Sequence, residues 1–243
     1  MSPTLTVAEI WRFPVKSMGG ERLKSAEITE LGITGDRGWG IFDVDTGTVL
    51  TARRAPELLF ATASIEGREV IIDLPDGGIV RGDDGIDGDA RLSTWLGRTV
   101  ELRPAGDEGG TYEVPLDFEN DENWVSWRGP GGAWHDSTKS RLSLVSRATL
   151  GSWEPARFRT NLVLAGHGED RLVGNDVLVG DTVRLDVRKR IDRCVIVTRS
   201  QPGLGRDLDV LRTINAQRDG CLAIGALVTT TGSVGQGDRV HVT

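Results

Sequence analysis

The stretch Arg188-Lys189-Arg190-Ile191-Asp192-Arg193-Cys194-Val195-Ile196-Val197-Thr198-Arg199 sets one cysteine among five cations, in a 243-residue chain whose formal net charge is −7. Nearby Arg and Lys charge favours the thiolate over the thiol, and the thiolate is the form that attacks electrophiles or binds soft metals. The same letters suit a small buried cysteine beside a solvated basic strand, so the surrounding chain has to decide. Upstream, Val177 to Val187 reads as a strand, and Cys194 to Val197 reads as another. Within the first, Gly180-Asp181-Thr182-Val183-Arg184-Leu185 is echoed by Gly237-Asp238-Arg239-Val240-His241-Val242. Both read as strand entries in a barrel, where glycine permits the bend and aspartate caps the turn.

Working outward, 32 glycines, short apolar segments and frequent Gly-Asp, Thr-Gly and Pro-Asp-Gly punctuation describe strands joined by turns. Leu5 to Phe13, Leu23 to Leu31, Trp39 to Val44 and Val49 to Arg53 fit strands, with Asp45-Thr46-Gly47 turning the last two into a hairpin. Ser64 to Leu74 predicts a further hairpin about Gly67. Asp89 is placed to cap a short helix over Ala90 to Leu96 that Gly97 stops. Asp107 to Gly132 has no clear period and reads as a long connection between two halves. Beyond it, Leu142 to Val145, Phe158 to Leu164, Cys221 to Thr229 and Val234 to Val242 read as strands, with helices near Ser146 to Trp153 and Asp207 to Gln217. The predicted class is mainly β with short helices.

Composition narrows function. The chain is long enough for a real core in one large or two packed domains. No apolar run approaches the roughly 20 residues of a membrane helix, and Met1 to Glu9 lacks a secretory signal, so the expected compartment is the cytoplasm, with no membrane partner. The acidic balance argues against general nucleic-acid binding but leaves a local anion site open. Cys194 and Cys221 are the only cysteines, which gives no disulfide framework. His135, His167 and His241 have no zinc spacing with them. Asp83-Asp84-Gly85-Ile86-Asp87-Gly88-Asp89 departs from a calcium loop at Gly85 and at Thr94. Walker, dinucleotide and Gly-x-Ser-x-Gly patterns are missing from the sequence.

Several short motifs carry cations or hydroxyls at strand ends. Pro14-Val15-Lys16-Ser17 offers a cation and a hydroxyl suited to a phosphate oxygen, although a solvated lysine and a turn serine would look alike. Gly35-Asp36-Arg37 presents an arginine able to bind an anion or pair with an acidic residue. Asp136-Ser137 could orient a ligand or cap local backbone. In Arg157-Phe158-Arg159-Thr160-Asn161-Leu162-Val163, strand periodicity would put Arg157, Arg159 and Asn161 on one face, turned to water or to an anion.

In order, Pro14-Val15-Lys16-Ser17, Gly35-Asp36-Arg37, Asp136-Ser137, Arg157-Phe158-Arg159-Thr160-Asn161 and Arg193-Cys194 with Thr198 resemble the MOSC family. The family is named for the C-terminal domain of molybdenum cofactor sulfurase. The resemblance spans nearly the whole chain and is to the two-part form, which includes the amidoxime-reducing components. It implies a MOSC N-terminal β-barrel domain over residues 1–115 packed with a MOSC β-barrel domain over 116–243. It implies a molybdopterin-type molybdenum cofactor, with Cys194 as metal ligand and Asp136 near the metal as proton carrier or orienting group. Lys16, Ser17, Arg37, Ser137, Arg157, Arg159, Asn161, Arg193 and Thr198 would then line the cofactor site. The implied activity is reduction of N-hydroxylated or N-oxygenated small molecules. Electrons would come from a separate reductase, an iron–sulfur or cytochrome partner, because the chain shows no ferredoxin-like cysteine cluster. Family-level association extends also to pyridoxal phosphate. Val197 stands where the family's reductases often have threonine, and Thr160 where proline is common. A sulfur carrier using a Cys194 persulfide, or a non-catalytic cofactor-binding domain, stays open beside the reductase.

Overall fold

The computed structural model describes residues 5–117 and 122–243. The chain begins with β1 (Leu5–Arg12), β2 (Glu21–Leu23), β3 (Ser25–Thr29), β4 (Gly32–Ile33), β5 (Trp39–Asp43) and β6 (Thr48–Val49). It continues through β7 (Thr62–Glu66), β8 (Glu69–Asp73), β9 (Ile79–Arg81), helix α1 (Ile86–Leu96), β10 (Val100–Pro104) and the hairpin of β11 (Thr111–Asp117) with β12 (Glu122–Arg128). Then come β13 (Leu142–Ser146), α2 (Arg147–Leu150), β14 (Leu162–Ala165), β15 (Asp176–Val179) and β16 (Val183–Asp192). The last elements are α3 (Asp209–Arg218), β17 (Cys221–Thr230), β18 (Gly232–Gly235) and β19 (Arg239–Val242). As the turn-rich sequence predicts, the fold is mainly β, with three short α-helices among the described residues.

Seven strands close a barrel in the order β1-β14-β13-β17-β16-β15-β19, with β19 pairing back onto β1. Period-two burial explains why. In β16, Val183, Leu185 and Val187 are sealed inside while Arg184 and Arg188 face out. Their partners inside include Val7, Ile10, Leu144, Leu164, Val177, Ile224 and Val240, all nearly without solvent exposure. Gly180 and Gly237 adopt φ of 63° and 94° before β16 and β19, and Asp238 accepts from the Gly235 amide at 2.7 Å. The echo read in the sequence is thus two barrel entries of one construction.

A second core lies in the first half, where β5, β6 and β10 form one sheet and β7, β8 and β9 another. Ile41, Ile72, Val80, Leu92 and Val100 meet there, with Leu92 supplied by α1. The two halves are interlocked: β3 pairs with β18, and the lower end of β1 carries β2. Both predicted hairpins form, Phe42 facing Val49 across the Asp45 turn and Glu66 facing Glu69 across Gly67.

Four local readings are corrected. Cys194 to Val197 is not a strand: register shifts between Val187 and Lys189 and between Arg190 and Asp192 end the barrel pattern, and Val195–Thr198 coil into a 3-10 turn. Phe158 to Leu164 is likewise broken, because Arg159 takes a left-handed conformation at φ 53° after the 3-10 turn Pro155–Phe158. The stretch Asp107 to Gly132 contains the β11–β12 hairpin rather than a structureless link. Asp89 lies inside α1, whose N-cap is Gly85, and its carboxylate accepts from the Leu102 amide at 2.8 Å.

The β1–β14 seam closes the barrel at Ile10, which pairs with Leu162 and is 0% exposed. Ile10→Ala is expected to lower stability by about 3 kcal/mol, read as a lower urea midpoint at unchanged slope. Ile86→Ala, at a residue 83% exposed, should shift the midpoint by less than about 0.5 kcal/mol.

Candidate functional site

Both halves wall a cavity of about 400 Å³. Among the described residues, eight of its lining side chains are cationic, and only Asp136 and Asp192 carry the opposite charge. In an acidic chain that concentration requires special placement. Three of the six non-glycine residues with left-handed backbone among those described, Ser17, Arg37 and Arg159, line this one cavity. Such backbone costs about 1–3 kcal/mol per residue and persists only where surrounding contacts over-determine it.

The organiser is Asp36, 2% exposed. One carboxylate oxygen accepts from the Phe13 amide at 2.7 Å; the other accepts from Asn161 Nδ2 at 3.1 Å and pairs with Arg37. Arg37 then donates to the Arg159 carbonyl at 3.1 Å, and both guanidiniums lie over the Phe13 ring. Asn161 is fully engaged: Oδ1 accepts from Ser143 N–H and O–H, and Nδ2 also reaches the Trp11 carbonyl at 3.3 Å. It lines the cavity yet holds the junction of β1, β13 and β14 together, leaving no free amide group for a ligand.

Lys16, 4% exposed, donates from Nζ to the Trp134 carbonyl at 3.0 Å and to Asp136 Oδ1 at 2.6 Å, and lies 4.1 Å from the centre of the Tyr112 ring. Burial pulls its pKa down to about 8, the Asp136 charge acting the other way. Partial desolvation at the cavity wall favours the neutral form of Asp136, but Lys16 and Arg53 outweigh that and hold it ionised far below the usual carboxylate range. Its side chain still presents about half its surface to the cavity, 53% by area. Ser17 Oγ accepts from the Ala52 amide at 2.9 Å, which leaves its hydroxyl hydrogen available.

Cys194 is half-buried at the cavity wall and caps the Val195–Thr198 turn, and both cysteines are free thiols. The cations around it in sequence largely serve other partners. Arg188 reaches Asp186, Lys189 reaches Asp192, and Arg190 reaches Asp219 and the Arg218 carbonyl. Arg193 is the adjoining charge; it donates to the carbonyls of Leu222 at 2.7 Å and Phe158 at 2.9 Å, and burial lowers its pKa to about 10. Arg157 donates to the carbonyls of Val197, Arg199 and Gly205, so it fixes the turn that carries Cys194 rather than facing a ligand.

Arg159 differs. Apart from the Phe13 ring at 4.5 Å, its guanidinium has no hydrogen bond or ion pair among the described residues, and burial lowers its pKa to about 9. Ser137 lines the cavity and caps the Lys139 amide at 3.1 Å. Thr198 does not line it: it is 2% exposed and its hydroxyl donates to the Val195 carbonyl at 2.8 Å, closing the turn after Cys194. Arg53, Arg141, Thr51 and Trp127 line the cavity without having stood out in the sequence. Asp36 was visible there only as the neighbour of Arg37.

The description "MOSC N-terminal beta barrel domain" matches residues 4–109, and "MOSC domain" matches residues 134–241. The chain belongs to the MOSC family. Mitochondrial amidoxime reducing component 2 from Homo sapiens is 36% identical to this MOSC chain over 75 residues, and that from Rattus norvegicus 31% over 74. Each match covers 29% of this chain and 22% of the relative's length. The crystal structure of the YUAD protein from Bacillus subtilis aligns over 98% of this chain and 94% of its own, at 11% identity and a TM-score of 0.45.

Because the Asp136 charge raises the Lys16 pKa, Asp136→Asn should push it further below about 8. The chain has four lysines, so an NMR titration of the dimethylated side chains resolves Lys16 directly. An unmoved or raised Lys16 value would refute the pairing.

Proposed function

We propose that this MOSC chain binds a molybdopterin-type molybdenum cofactor in the Lys16–Cys194 cavity and reduces N-oxygenated small molecules with electrons from a separate reductase. The observation that carries the reading is a free thiol sharing a cavity with a guanidinium, that of Arg159, which has no counter-anion among the described residues. The donor set fits such a group. A phosphate or pterin edge would satisfy Arg159, Lys16 and the Ser17 hydroxyl, while Cys194 as thiolate is a soft ligand suited to molybdenum already bound by sulfur. The cavity volume lies in the range of cofactor sites. When bound, the cofactor supplies two-electron redox chemistry at the metal. The similarity to amidoxime reducing component 2 supports the substrate class.

The chain's own residues provide placement and protons. Asp36 and Arg37 fix the left-handed turn that aims Arg159, and Arg157 fixes the turn that presents Cys194. Val114, Trp127 and Ile196 give the cavity an apolar side that limits water. Asp136, held ionised, is a poor proton donor near neutral pH and instead orients Lys16. Lys16 Nζ, with a pKa of about 8, has a proton labile enough to deliver.

Protein expressed with the cofactor-making machinery should contain about one molybdenum per chain together with pterin, and Cys194→Ser should lose metal and at least about tenfold in amidoxime reduction. Molybdenum-free protein, or full activity in Cys194→Ser, overturns the reading; a labile sulfur adduct on Cys194 without pterin redirects it to sulfur transfer. The rate of reduction should fall as pH rises through about 8, where Lys16 loses its proton. In Lys16→Met that limb should vanish from the pH profile, leaving a lower rate throughout.

A further inference from the structure

Two guanidiniums in the cavity wall have neither an ion pair nor a hydrogen bond among the described residues. Arg159 is one, and the proposed cofactor answers it. Arg141 is the other, and it belongs to none of the motifs shared with the family. Its amide donates to the Ala226 carbonyl at 2.8 Å, which ties the main chain at the edge of β13 to β17. Its side chain lines the cavity but enters no ion pair or hydrogen bond, and Nη1 is sealed from solvent without an acceptor. Thr51, 3% exposed, lines the same cavity, and its hydroxyl is likewise unpartnered. Arg141 Nη1 can only donate and the Thr51 hydroxyl is able to, so the group this wall lacks is an acceptor, not a cation.

Among the described residues, no carboxylate of the wall supplies it. Asp136 is held by Lys16 and Arg53, and Asp192 by Lys189. A guanidinium without a partner in a partly apolar enclosure is well matched to a carboxylate, which such a group grips through N–H···O bonds. In the same cavity, Val114 and Trp127 offer surface for a flat apolar body.

We infer that Arg141 recognises a carboxylate on the substrate, so that the cavity selects anionic N-oxygenated molecules whose apolar body lies against Val114 and Trp127. The N-oxygenated part of that statement rests on the proposed function; the carboxylate part rests on the wall alone. Two amidoximes on one aryl skeleton, one bearing a para carboxylate and the other a para carboxamide, are titrated calorimetrically into the purified full chain at low salt. The carboxylate should bind about tenfold tighter or more. Arg141→Met should erase that preference and Arg141→Lys should keep part of it, both with unchanged near-ultraviolet circular dichroism and unchanged molybdenum content. Equal binding of the two ligands to the wild type, or a preference that survives in Arg141→Met, overturns the inference. Loss of molybdenum in Arg141→Met overturns it too, by making Arg141 a cofactor ligand. Molybdenum missing from the wild type counts against the proposed function instead, and the same titration still reads the carboxylate preference.

Discussion

The buried carboxylate of Asp36 is the interaction on which the rest depends. Its two oxygens gather an amide from the end of β1, the side chain that anchors β14 and the guanidinium beside them, so that one charge joins segments more than a hundred residues apart in sequence. Removing one partner of such a buried set costs about 3–5 kcal/mol, because the remaining charge is left in low dielectric. That grip allows Arg37 and Arg159 to keep left-handed backbone, and left-handed backbone is what turns their side chains over Phe13 toward the cavity. Strain at the site is held by the scaffold beneath it.

The cations of the cavity divide by what they already hold. Arg157 and Arg193 are committed to main-chain carbonyls and serve as struts; Lys16 and Arg53 share Asp136. Arg141 and Arg159 stand apart as guanidiniums with neither a hydrogen bond nor an ion pair among the described residues. A wall of many positive residues is therefore far more selective than its total charge suggests, since few of those charges are open to a ligand. The half-exposed Asp136 adds a negative group beside Lys16, which helps keep that amine charged at neutral pH despite its burial.

Much of this was legible in the sequence, and the limits were physical. The barrel was readable because period-two burial in β16 and the Gly-Asp entries are local signals. The association of Lys16, Arg37, Asp136, Arg159 and Cys194 was readable only through the ordered family motifs, since each piece alone is equally well explained by a turn or a solvated charge. The error over Arg157, Arg159 and Asn161 came from assuming one strand where a 3-10 turn and a left-handed residue intervene, a conformation dictated by long-range contacts to Arg37 and Asp36. The cations flanking Cys194 misled similarly: sequence shows proximity along the chain, whereas Asp186, Asp192 and Asp219 draw three of them away. Arg141 gave no local sign at all, because having no partner is a property of the folded surroundings.

The double pairing of β1 bears on how the molecule is made. The first strand cannot find its place until β14 and then β19, the last strand of the ring, have been synthesised. Closing so long a loop is entropically expensive and such topologies fold slowly. During translation, then, β1 emerges before either of its neighbours in the ring, and its pairing waits for them.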